Sequence, residues 1–79
     1  MKYAVEIAET NSINRAADRL FVGQSALSRA IKELEESLGI KIFKRTSKGM
    51  LLTPQGEEFI QYAKKIIFQM DSLEAMYQN

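Results

Sequence analysis

The sequence predicts a mainly α-helical fold: a winged helix-turn-helix, with a three-helix core and a two-stranded β wing, followed by one long helix. Apolar residues recur at helical spacing in four segments, and a three-residue connection containing glycine joins the second to the third. Two short apolar runs then flank a polar tip. We therefore divide the chain into a winged-helix domain over residues 1–53 and a linker or dimerisation helix over residues 54–79.

The first two helices are predicted from short amphipathic patterns. Residues 2–9 place Ala4, Ile7 and Ala8 on one face, and Ser12 can cap the second helix by accepting a hydrogen bond from a free backbone N–H. In the second helix the apolar residues recur at i, i+3, i+4 and i+7: Ile13, Ala16, Ala17 and Leu20. The two alanines allow another helix to approach this face closely.

Residues 21–23 and the helix after them complete a helix-turn-helix over about residues 13–34. Gly23 can take a positive φ without strain, which a tight corner such as this one often demands. The third helix carries a narrow apolar stripe that should be buried, at steps of four, three and four residues: Leu27, Ile31, Leu34 and Leu38. Gly39 suits the left-handed position that ends this helix, with Ile40 folding back onto it.

The wing is predicted over about residues 42–53. Its strands are residues 42–45 and residues 50–53, around a polar and basic tip at residues 46–49 that ends in glycine. A hairpin this small needs a helix to pack on, and Phe43 would supply that contact.

The start of the long helix is marked by Thr53 at the cap, Pro54 at the first helical position, and Glu57 and Glu58 in the first turn. Apolar residues then follow at alternating steps of four and three: Phe59, Ala63, Ile66, Met70, Leu73 and Tyr77. A helix over residues 54–77 is roughly 36 Å long, whereas a domain this small is about 25 Å across, so its far end should overhang. We expect dimerisation through this seam; the alternative is a helix that covers only the chain's own core.

Charge is distributed unevenly, although the net charge of the 79 residues is only +1. Residues 14–55 contain four acidic residues and eight basic ones, which are Arg15, Arg19, Arg29, Lys32, Lys41, Lys44, Arg45 and Lys48. The rest of the chain holds three basic and six acidic residues. A basic middle between acidic ends predicts an anionic partner for the middle of the chain.

Cysteine and histidine are both absent. The first absence excludes a disulfide framework and thiolate metal sites, and it fits a reducing, cytoplasmic location. The second removes the commonest general base and metal ligand. With no nucleophile–base pair, metal-ligand spacing or phosphate-binding glycine loop, we expect no enzyme, no metal site and no cofactor. The apolar runs are far shorter than a membrane span, so we expect no membrane partner.

The exposed face of the third helix carries small polar and basic side chains in place of the usual mixture of Glu and Lys. They are Ser25, Ser28, Arg29 and Lys32, with Gln24 at the start of the helix. From the residues alone, this face could be an ordinary solvated surface or a surface that binds an anionic partner.

The segment AADRLFVGQSALSRAIKELEESLGIKIFKRTSKGMLLTPQG resembles the N-terminal DNA-binding domain of LysR-type transcriptional regulators, and the resemblance covers essentially the whole chain. Its matching positions are Ala16, Ala17, Leu20, Gln24, Ser28, Ile31, Leu34, Glu35, Leu38, Gly39, Phe43, Arg45, Leu52, Thr53 and Gly56. The chain departs from the family pattern at Gly23, Ser25 and Ala30, where serine, proline and glutamine are usual.

The resemblance implies a sequence-specific DNA-binding domain of a transcription regulator that binds a dyad-symmetric operator as a homodimer. Gln24, Ser25 and Ser28 would read bases in the major groove, while Arg29 and Lys32 would reach guanine edges or phosphates. The family also has an effector-binding domain that lies outside this chain. A small-molecule effector would bind only there, and the full-length protein could be a tetramer.

The resemblance gives the wing a second set of contacts. Arg45 and Lys48 would lie beside the minor groove or its phosphates. Lys41 and Lys44 fit either a phosphate contact or bulk solvent.

A different class of function stays open on the residues alone: a helical dimeriser whose middle domain binds another protein. The salt dependence of duplex binding would separate the two, because counterion release dominates DNA binding and has no counterpart in a pure protein-interaction module.

Overall fold

The computed structural model describes residues 2–78 as four helices and one antiparallel hairpin. In chain order the elements are α1 (Lys2–Thr10), α2 (Ile13–Leu20), α3 (Gln24–Leu38), β1 (Phe43–Thr46), β2 (Gly49–Leu52) and α4 (Pro54–Met76). The predicted mainly α-helical, winged helix-turn-helix fold is confirmed. The predicted domain ends at residues 1 and 79 lie outside the described residues, and the division after residue 53 stays a prediction.

The core forms where the first three helices pack together and against the base of the wing. Its buried side chains are Ala4, Ile7, Ala16, Ala17, Leu27, Ile31, Ile42, Phe43 and Ile60. The alanines of α1 and α2 let these short helices approach closely, as the sequence indicates. In the stripe of α3, Leu34 is half-buried, and the prediction for Leu38 is wrong: it is 44% exposed, because the neighbouring helices cover only the first part of α3.

The turn between α2 and α3 differs from the prediction. Gly23 has φ −72° and begins α3 as its N-cap, whereas Phe21 takes the left-handed conformation with φ 58°. The chain reverses at Phe21 because α2 ends there: the N–H of Phe21 donates to the carbonyl of Asp18 (3.3 Å), and that of Val22 donates to the carbonyl of Ala17 (3.0 Å). The strained residue is therefore a phenylalanine whose side chain is 94% exposed.

The hairpin pairs β1 with β2 in a register from Phe43 opposite Leu52 to Thr46 opposite Gly49. Each strand differs by one residue from its predicted bounds. Phe43 is buried against the helices, as predicted. The start of β2, beside the wing tip, is also held to the α1–α2 turn, since the N–H of Met50 donates to the carbonyl of Asn11 at 3.1 Å.

Helix α4 begins as predicted, because the Thr53 hydroxyl accepts from the N–H of Gly56 at 2.9 Å and Pro54 opens the first turn. Of the two predicted acidic residues, Glu57 lies in the first turn and Glu58 follows it. The far half of α4 is exposed, and the described residues extend over 45 × 26 × 21 Å. Across residues 2–78, no helix combines the length and apolarity needed to span a membrane.

The strain at Phe21 gives the first testable prediction. A residue other than glycine in the left-handed region costs roughly 1–2 kcal/mol, and asparagine tolerates this region better than most. We expect Phe21→Asn to raise the free energy of unfolding by up to about 1 kcal/mol, measured by urea denaturation. Phe21→Ala is the control, because it removes the exposed ring but keeps the strained Cβ. Equal stability of the two variants would contradict this explanation.

Candidate nucleic-acid interface

The first half of α3 presents a polar surface because its apolar side is held down by the core. Leu27 and Ile31 are buried, which turns the opposite side of the helix outward. Of the five residues predicted there, Ser28 is half-buried and the other four are exposed: Gln24, Ser25, Arg29 and Lys32.

The wing carries two exposed cations, Arg45 on β1 and Lys48 in the turn. The side chain of Thr46 orders the turn that contains Lys48 and leads to Gly49. Its hydroxyl accepts from the N–H of Lys48 at 3.1 Å and donates to the carbonyl of Gly49 at 2.9 Å. The cation of Lys48 is thus carried on a hydrogen-bonded turn of the backbone.

An open groove lies between the start of α3 and the wing. We call this surface the α3–wing groove. Five of the seven predicted DNA-binding residues line it: Gln24, Ser25, Ser28, Arg45 and Lys48. The other two predicted residues, Arg29 and Lys32, are exposed on α3 but lie outside the groove, as do Lys41 and Lys44.

The α1–α2 corner forms a third wall of this groove, which sequence reasoning missed. It contributes Asn11, Asn14 and Arg15, all of them exposed. The corner meets the wing through close backbone packing: a Cβ on Gly49 would lie 2.5 Å from the carbonyl oxygen of Asn11. The basic charge of Arg15 is visible in the sequence, but its position beside the wing depends on this tertiary contact.

The charge of the groove has one sign. Its cations are Arg15 from α2 and Arg45 and Lys48 from the wing, and no carboxylate of the described residues lines it. Within residues 2–78 the one ion pair closer than 4.0 Å joins Arg19 to Glu6, away from the groove. A surface that combines these cations with the polar side chains of α3 can bind a polyanion that also offers hydrogen-bonding groups.

Only part of the predicted dimerisation seam is exposed, since its first two residues are covered by the chain's own core. Ala63 is only 1% exposed and Phe59 is half-buried, so the prediction that these two lie on a free seam is wrong. The reason is that the first half of α4 packs on the chain's own core through Gly56, Ile60 and Ala63.

The remaining seam residues form a separate exposed surface. Ile66, Met70, Leu73 and Tyr77 are exposed, and Tyr62 lies on the same side of the helix. We call these five residues the outer stripe. At about 100° per residue, the outer stripe is turned roughly a quarter turn from the face that packs on the core.

The family model described as bacterial regulatory helix-turn-helix protein, lysR family, matches residues 1–57. The chain belongs to this family. The predicted LysR-type helix-turn-helix domain is thereby confirmed, over the segment that holds the α3–wing groove.

Two curated relatives show the same relationship. The HTH-type transcriptional regulator BenM of Acinetobacter baylyi is 41% identical over 76 residues, which are 96% of this chain and 25% of BenM. The uncharacterized HTH-type transcriptional regulator YcgK of Bacillus subtilis is 44% identical over 73 residues, which are 92% of this chain and 22% of YcgK. The LysR-family chain therefore spans about a quarter of the length of these relatives, which are named as regulators and not as enzymes.

Solved structures match the fold closely. A crystal structure of the BenM DBD in complex with catB site 1 DNA has a TM-score of 0.91 and 42% identity, covering 94% of this chain and 83% of that one. CbnR, a LysR family transcriptional regulator, has a TM-score of 0.91 and 31% identity, covering 95% of this chain and 26% of that one.

Proposed function

We propose that this chain is the DNA-binding domain of a LysR-type transcription regulator and that it reads double-stranded DNA through the α3–wing groove. The observation that carries the proposal is the groove itself, which is lined by polar side chains from α3 and by three cations, one from α2 and two from the wing. The BenM DBD, similar in sequence and fold, binds DNA in its solved complex, which supports the same partner here.

The groove suggests a division of roles among its side chains. Gln24, Ser25 and Ser28 lie at the start of α3, the part of a recognition helix that points at base edges in the major groove. Arg45 and Lys48 on the wing would contact phosphates or the minor groove. These contacts are complementary, because base contacts give specificity and phosphate contacts fix the register.

Three further cations complete the proposed surface. Arg15, at the third wall, would contact the phosphate backbone beside α3, as the first helix of a helix-turn-helix does. Arg29 and Lys32 lie outside the groove on exposed positions of α3, where their long side chains would reach guanine edges or flanking phosphates.

We also propose that the chain acts as a homodimer joined through the outer stripe. Five apolar or aromatic side chains on one exposed helix surface are an unfavourable exposure for so small a domain, and a second copy would bury them. A two-fold dimer implies two half-sites related by a dyad in the operator.

The longer relatives support the proposal that this domain is part of a larger protein. We infer that it belongs to a cytoplasmic regulator whose effector-binding domain follows it and binds a small molecule, and that the full-length protein is a dimer or a tetramer. The α4 helix would then link the two domains.

Base readout is tested at Gln24 and Ser28. A glutamine amide can pair with adenine through two hydrogen bonds, and losing such a pair removes about 1–3 kcal/mol of discrimination. We expect Gln24→Ala to relax preference at one base pair in each half-site, and Ser28→Ala to do so more weakly. The measurement is a competition titration of specific against random duplexes, after selection of a binding sequence from a random pool. An unchanged ratio in Gln24→Ala would exclude base readout by this residue.

Phosphate contact is tested at Lys48 and Arg15. Each such contact adds about 0.9 to the slope of log affinity against log salt concentration. We expect Lys48→Ala and Arg15→Ala each to weaken binding about equally on all duplexes and to flatten this slope by about one unit. Lys64→Ala is the control, since it removes the same charge from an exposed position on α4 outside the groove. A changed sequence preference in Lys48→Ala would instead make Lys48 a base-reading residue.

Dimerisation is tested at Met70 and Leu73 by sedimentation equilibrium. We expect the double substitution to alanine to weaken association by about 2–4 kcal/mol, through lost apolar burial. Phe68→Ala is the matched control, because Phe68 is more exposed than either residue but lies on the opposite side of α4. Equal dimerisation of the double variant and wild type would refute the outer stripe as the interface.

A further inference from the structure

Glu35 accepts four backbone hydrogen bonds from the segment that joins α3 to the wing. Its backbone carbonyl accepts from the N–H groups of Gly39 (2.8 Å) and Ile40 (3.3 Å). Its carboxylate oxygen Oε2 then accepts from the N–H groups of Ile42 (2.7 Å) and Phe43 (3.1 Å). The end of the recognition helix and the start of β1 are therefore held by the same side chain.

We propose that Glu35 is a positioning residue for DNA binding, which holds the wing at the angle where its cations reach phosphates while α3 occupies the major groove. This inference rests on the proposed function. Glu35 itself is half-buried, lies in the second half of α3 and does not line the α3–wing groove. It acts through Arg45 and Lys48.

Because the hairpin is long relative to a hydrogen bond, a small rotation at its base can displace the cation at its tip. Lys48 lies roughly 15 Å along the strand from Ile42, at about 3.3 Å per residue. The tip is also held by the hydrogen bond from the N–H of Met50 to the carbonyl of Asn11 at 3.1 Å. A single bond of this kind contributes only modestly to stability, so a hairpin freed at its base can rotate against it. A rotation of about 10° would move the tip by roughly 2–3 Å over that length. A charge-assisted hydrogen bond to phosphate spans only about 2.7–2.9 Å, so such a displacement breaks the contact.

The N–H groups of Ile42 and Phe43 need an oxygen acceptor at the distance from the α3 backbone that the Glu35 side chain spans. Glutamine keeps this reach and an oxygen acceptor but loses the charge. Aspartate keeps the charge but is shorter by one methylene group. Positioning by hydrogen bonds therefore requires Glu35→Gln to bind DNA like wild type and Glu35→Asp to bind it poorly.

The test measures binding of the full chain to a random-sequence duplex of about 30 base pairs across a salt series, which reports phosphate contacts. We expect Glu35→Asp to lose about tenfold in affinity and to flatten the salt slope by about one to two units, as loss of the wing contacts would. Glu35→Gln should stay within about threefold of Glu36→Gln, which makes the same charge change at an exposed neighbour. Affinities are compared at a temperature where circular dichroism shows each variant folded; Glu35→Met, of similar size without the acceptor, replaces Glu35→Asp if the latter is unfolded.

A double variant distinguishes positioning from a general loss of stability. If Glu35 acts through the wing, Lys48→Ala should cost little further affinity in the Glu35→Asp background, because that contact is already lost. Additive losses, or wild-type affinity in folded Glu35→Asp, would overturn the inference while leaving DNA binding intact. If the wild-type chain itself does not bind the duplex, the proposed function fails and the inference with it.

Discussion

The backbone of Ile42 joins the helix-turn-helix, the wing and the long helix at one point. Its N–H donates to the Glu35 carboxylate at 2.7 Å, and its carbonyl accepts from the N–H of Thr53 at 3.0 Å. Gly56 lets α4 pass directly over that carbonyl, since any Cβ there would overlap the oxygen. The Thr53 hydroxyl also donates to the carbonyl of Lys41. Both the wing and α4 therefore start at this joint.

The joint at Ile42 connects the α3–wing groove to the outer stripe. The α3–wing groove is on one side of it, and the outer stripe extends from the other along α4. Because Gly56 and Thr53 fix the start of α4 against the base of the wing, a dimer formed through the outer stripe would hold its two grooves at a set separation. Half-site spacing in the operator would then follow from protein geometry, as in other two-fold helix-turn-helix dimers.

Most local features were predictable from the sequence, whereas the left-handed residue and the packing behind two surfaces were not. Ser12 and Thr53 were identified as caps because capping needs only neighbouring residues. Phe21 was missed as the left-handed residue, since sequence preference favours the nearby glycine. Arg15 was missed because its groove exists only once the wing packs on the α1–α2 corner. Ala63 fits a heptad seam by spacing, yet only the packing of α4 decides which side of the helix is already buried.

The central claim, that the α3–wing groove is the DNA-binding surface, is tested most directly by following backbone amide NMR shifts while a DNA duplex is added. We expect saturable shifts at the start of α3, at the wing tip and at the α1–α2 corner, with Gln24, Lys48 and Asn14 among the largest. Amides near Lys65, on the exposed part of α4, should change little. Saturable shifts confined to α4, or no saturable shifts at all, would contradict it.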